Sequence, residues 1–87
     1  MSDEIRCWLV EREYDDKGLV TLTYATPDGE SVYRRELAAS AATGSTVTAA
    51  KDLQPAQLED VSDEATRKRY ATEVERTAER YDPDDAI

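Results

Sequence analysis

Two turn signals enclose the most β-like stretch of this chain, and together they restrict what the rest can do. Asp15-Asp16-Lys17-Gly18 precedes it and Thr26-Pro27-Asp28-Gly29-Glu30 follows it; between them lies Gly18-Leu-Val-Thr-Leu-Thr-Tyr-Ala-Thr26, dense in β-branched and aromatic residues. Glycine closes the first turn where a left-handed residue is wanted. In the second, Pro27 presets φ, Asp28 suits the next position and Gly29 accepts positive φ. Both have the spacing of a type I turn followed by a glycine bulge. The expected core of the fold is a three-stranded antiparallel meander over about 5–14, 18–26 and 30–37.

Such turns set register, and register sets faces. If Asp15 faces Leu19, then Tyr14 faces Val20, Arg12 faces Leu22, Val10 faces Tyr24 and Trp8 faces Thr26. If Thr26 faces Glu30, then Tyr24 faces Val32, Leu22 faces Arg34 and Val20 faces Glu36. Alternation then places Trp8, Val10, Tyr14, Val20, Leu22, Tyr24 and Val32 on one inward face. The other face carries Ile5, Cys7, Leu9, Ala25 and Tyr33 at one end and polar residues at the other. Two readings compete for that apolar end. A loop or the C-terminal tail ending in Ile87 covers it, or Ile5, Cys7, Leu9 and Tyr33 form a homodimer contact.

Beyond Leu37 the chain is expected to cover the sheet with helices. The Ala/Ser/Thr-rich connector over 38–48, with Gly44 at its centre, reads as a crossover, and Ser45 caps a short helix running to about Leu53. Pro55 opens another short turn of helix to Asp60. Ser62 caps a C-terminal helix over about 63–81, which Asp82-Pro83 stops. Its apolar positions, Ala65, Tyr70, Ala71, Val74, Ala78 and Tyr81, form a thin stripe. The fold class is therefore α+β, one domain over 1–87, with a short helix and the C-terminal helix on one face of the meander.

Composition narrows the chemistry. Twenty acidic residues against 11 basic ones give a formal charge of −9. Lysine occurs only at 17, 51 and 68, arginine is the commoner cation, and Phe and His are absent. Acidic excess with scarce lysine and small apolar residues suits molar salt, where a Debye length of about 3 Å screens the self-repulsion. The same charge argues against nucleic acid, which needs clustered cations to displace counterions. Without histidine, the single Cys7 can build neither a Cys–His nucleophile nor a zinc site. The glycine and serine of the connector lack the lysine and spacing of a phosphate loop. Asp82, Asp84 and Asp85 are hard oxygen donors, but their spacing fits no calcium loop and reads as a solvated tail. No cofactor or metal is expected, and no apolar run long enough for a membrane span occurs. The acidic start lacks the regions of a signal peptide, so a cytoplasmic protein is expected.

The strings Trp8-Leu-Val-Glu-Arg-Glu-Tyr14, Leu22-Thr-Tyr-Ala-Thr-Pro-Asp-Gly29 and Arg67-Lys-Arg-Tyr-Ala71 resemble small acidic haloarchaeal proteins of unknown function. That resemblance implies a single domain adapted to salt and transfers no functional residue. Two functions remain open. One is a non-enzymatic protein-interaction module, a homodimer through Ile5, Cys7, Leu9 and Tyr33. The alternative is a binder of a small anion at the sheet–helix boundary, held by Arg12 and Arg34 on either side of Leu22.

Overall fold

A computed structural model of the chain describes residues 3–38 and 47–86. The expected meander is present as β1 (Ile5–Tyr14), β2 (Leu19–Ala25) and β3 (Ser31–Ala38). It is the centre of a larger antiparallel sheet. β4 (Ala50–Leu53) joins the outer side of β1, and β5 (Glu59–Asp60) joins β3, giving the order β4-β1-β2-β3-β5. Among the described residues a single α-helix, α1 (Glu64–Arg80), packs on one face.

The two expected short helices are corrected. Residues 50–53 pair with β1, Ile5 opposite Leu53 and Trp8 opposite Ala50. Lys51 and Asp52 have little β preference of their own; what decides is the open edge of β1, whose backbone groups need partners. Pro55–Gln57 is one turn of 3-10 helix, closed by Leu58 N–H donating to the Pro55 carbonyl at 3.1 Å, and the chain then extends into β5. Ser45, Gly44 and Ile87 lie outside the described residues. The tail before Ile87 lies at the sheet edge: the N–H groups of Ala49 and Ala50 donate to the carbonyls of Asp85 and Pro83.

The first hairpin keeps its expected register, with Tyr14 opposite Val20 and Arg12 opposite Leu22. Gly18 has φ +86°, and the Asp15 carboxylate accepts from the N–H groups of Lys17 and Leu19, each at 2.9 Å. Two features then depart from the simple ladder. β1 bulges at Val10, so Leu9 rather than Val10 faces Tyr24, and Trp8 faces Ala25. The second hairpin is longer by one residue: Thr26 pairs with Ser31, not Glu30, its N–H donating to the Ser31 carbonyl at 3.0 Å. Asp28 stabilises this loop by accepting from the Thr26 hydroxyl (2.6 Å) and the Glu30 N–H (2.9 Å). Glu30 is thereby left in the loop, where its carbonyl accepts from Val61 N–H at 2.8 Å.

A one-residue shift turns every side chain of β3 over. Tyr33, Arg35 and Leu37 now oppose Tyr24, Leu22 and Val20, while Val32 and Arg34 oppose Ala25 and Thr23. The seven residues expected on one inward face therefore divide. Val20, Leu22 and Tyr24 join Cys7, Leu9, Val47 and Leu53 in one core. Trp8, Val10 and Val32 join Ala25, Val61, Tyr70 and Val74 in a second core beneath α1. Tyr14 is 63% exposed and belongs to neither.

The helix begins one residue later than expected, with Asp63 in place of Ser62 as its cap. Asp63 accepts from the Thr66 N–H (2.9 Å) and hydroxyl (2.6 Å). Two contacts orient α1 on the sheet. The Tyr70 hydroxyl donates to Glu11 at 3.1 Å, and the Thr77 hydroxyl donates to the Leu9 carbonyl beside the bulge at 2.9 Å. No helix among the described residues is long and apolar enough to cross a membrane.

Candidate functional site

The side chains singled out from the sequence fall at three places. Cys7 (0% exposed) and Leu9 (6%) are interior, in the core that β1 and β2 share, and Ile5 and Tyr33 pack partly buried against it. Of the four proposed dimer contacts, then, Cys7 and Leu9 are already covered within one chain.

Arg12 and Arg34 are not companions. Arg12 lies opposite Leu22, whereas Arg34 lies opposite Thr23 on the other face, its guanidinium 3.3 Å from Glu59. The residue that shares Leu22 with Arg12 is Arg35. Sequence reasoning missed it because the longer second hairpin exchanges neighbours in β3. The signal was present in Thr26 and Asp28, whose side chains can cap a longer loop.

Lys51 was missed as well, since its segment was read as helical. It faces Cys7 on β4, and its Nζ lies 5.9 Å from the centre of the Tyr33 ring on β3. Two strands separate β4 from β3, so a flat sheet would hold these backbones about 14 Å apart. The Lys51 stem reaches over the intervening strands to meet Tyr33. Arg35 stands on the same face, and burial together with the charge of Arg35 pushes the Lys51 ammonium below its ordinary pKa. Six cations, Arg6, Arg34, Arg67, Lys68, Arg69 and Arg76, have a carboxylate within 4.0 Å. Among the described residues, Arg35 and Lys51 are half-buried and have none.

On the helix side, a groove of about 270 Å³ runs between the Val10 bulge and the last turns of α1, lined by Glu11, Arg12, Glu73, Thr77 and Tyr81 among others. Its carboxylates are engaged: Glu11 with Tyr70 and Arg69, and Glu73 with Arg76 at 3.0 Å. Among the described residues, no three acidic or thiol groups are placed to hold a metal ion.

Residues 1–87 match a family described only as being of unknown function, DUF7967. The chain belongs to that family. No curated protein and no solved structure matches it. For this member of DUF7967, then, functional argument starts from its own geometry.

Burial also governs the chemistry of the Cys7 thiol. Loss of solvation, with Asp52 and Asp28 adding to it, pushes its pKa up to about 11 from an ordinary 9.0. Burial raises the Tyr24 hydroxyl too, against the opposing effects of the Thr48 side chain and of Arg35 and Arg12. Both groups hold their protons more tightly folded than unfolded. The Cys7 contribution is complete below about pH 9 and is lost as pH rises toward 11, because the unfolded chain ionises first, and Tyr24 acts in the same direction. The Cys7 share amounts to about 2–3 kcal/mol. Urea midpoints measured from pH 8 to 11 should fall steadily, and Cys7→Ala should flatten part of that slope.

Proposed function

We propose that this chain is a non-enzymatic protein-interaction module that pairs with a second copy of itself through the outer edge of β3. What carries the reading is how little of that edge β5 occupies. It pairs with Ser31 and Val32, and among the described residues no strand pairs with Tyr33 to Ala38 on the side away from β2. Because Thr26 N–H bonds Ser31 and Val61 N–H bonds Glu30, the odd-numbered residues of β3 direct their backbone groups to β2 and the even-numbered ones outward. Arg34 and Glu36 thus present the free donors and acceptors.

Charged side chains on an edge ordinarily discourage pairing. Here their order is self-complementary. In an antiparallel arrangement centred on Arg35, Arg34 faces Glu36 of the second copy, Tyr33 faces Leu37, and each of these pairs occurs twice. Only Arg35 meets its own copy, on the two-fold axis. Of the contacts expected from sequence, Tyr33 is retained, and Ile5, Cys7 and Leu9 are not needed. The acidic surface is read as suited to high salt, so pairing belongs in molar potassium chloride.

That register has a covalent test. Directly opposed residues that do not exchange hydrogen bonds have Cα atoms about 4.5 Å apart, within disulfide range. Arg35→Cys should therefore give a cross-linked dimer on mild oxidation, with buried Cys7 silent. Leu37→Cys should not, since four residues of offset place its copies about 13 Å apart. Light scattering should read twice the chain mass of 9.7 kDa. A monomer mass for the unmodified chain, or equal cross-linking of both variants, would overturn the proposal.

A further inference from the structure

We propose that Lys51 and Arg35, with the Tyr33 ring as an apolar wall, form a binding site for a doubly charged oxyanion of the phosphate type. The site is built within one chain and stands whatever its oligomeric state.

Half-buried cations near one another lose hydration and repel, so a fold tolerates the arrangement where an anion offsets both effects. The chain has 20 carboxylates for 11 basic residues, and an ordinary ion pair could have served here as it does at six other cations. Instead Lys51 reaches over Tyr33, toward the face that Arg35 shares. The donors differ in a useful way. Lys51 supplies a compact charge, and Arg35 supplies a planar fork that engages two oxygens at once. Two positive groups match a dianion better than chloride or a single carboxylate. Tyr33 excludes water from one side, which strengthens both contacts. In a paired arrangement the same anion also offsets the opposition of the two Arg35 side chains.

The test is a titration of the full chain with inorganic phosphate in potassium chloride at constant ionic strength, followed by the Tyr33 ring resonances. Saturable shifts are expected. Lys51→Gln and Arg35→Gln should each weaken binding about tenfold, the loss of one charge-assisted hydrogen bond. Lys51→Arg should retain it, and Arg76→Gln, on the helix that packs against the opposite face, should leave it unchanged. Shifts that fail to saturate, or that survive in both glutamine variants, would overturn the site. Both side chains are partly in solvent, so the variants should fold, as circular dichroism would verify.

Discussion

Gly29→Ala is expected to cost about 3–5 kcal/mol, enough to unfold much of a protein this small. The loop it occupies touches the helix backbone. A Cβ at this position would lie 2.1 Å from the Arg67 carbonyl oxygen and 2.9 Å from the Ala71 nitrogen. Those are main-chain atoms of a hydrogen-bonded helix and cannot swing aside as a side-chain end would. Gly29 also has φ +73°, where an L side chain is strained by about 1–2 kcal/mol before any contact is considered. Relief requires the hairpin to lift from α1, which would loosen the core where Val32 meets Tyr70 and Val74. Gly18 provides the control. Its φ is +86°, but a Cβ there meets nothing within 4 Å, so Gly18→Ala should cost only the backbone strain. Urea melts of the two variants should differ by several-fold in lost stability. Equal midpoints would mean that the helix and the second hairpin do not touch as described.

Tyr70→Ala should be nearly as damaging, because α1 has so little else holding it. Of the helix's 17 residues only Tyr70 and Val74 are buried. Truncating a buried aromatic ring costs about 3–5 kcal/mol. An undocked helix of this length is marginal in water, so the helical circular dichroism signal should fall with stability. Tyr70→Phe separates packing from polarity. It keeps the ring and removes the hydroxyl that donates to Glu11 at 3.1 Å, leaving Glu11 with Arg69 at 3.9 Å. A loss of about 1 kcal/mol with the helix intact is expected. A comparable loss in both variants would make the hydrogen bond, rather than the ring, the anchor.

These two positions also show what kind of information the chain carries locally. The glycine turns, the strand they bound, the helix cap within a residue and the stop before Asp82-Pro83 all depend on neighbours a few positions apart, and each was legible. The Val10 bulge was not. Nothing near Val10 distinguishes it from a regular strand position; the Thr77 hydroxyl takes the Leu9 carbonyl from 68 residues away in sequence. β4 and β5 were equally hidden, because their segments are extended by the strand edges they complete.

The candidate site inherits that division. Arg12 and Leu22 could be placed opposite each other because the first hairpin follows its turn rule, and Arg34 was misplaced because the second has one residue more in its loop. Gly18 to Thr26, with its two turns, determined a meander from sequence alone, since turn chemistry and alternation act over a few residues. Which side of β3 faces which core, that Lys51 meets Tyr33 across two intervening strands, and that buried residues lie on both sheet faces were decided by tertiary structure. Those outcomes rest on backbone edges, a helix seated on Gly29 and side chains that reach over neighbouring strands, all contacts between residues far apart in the chain.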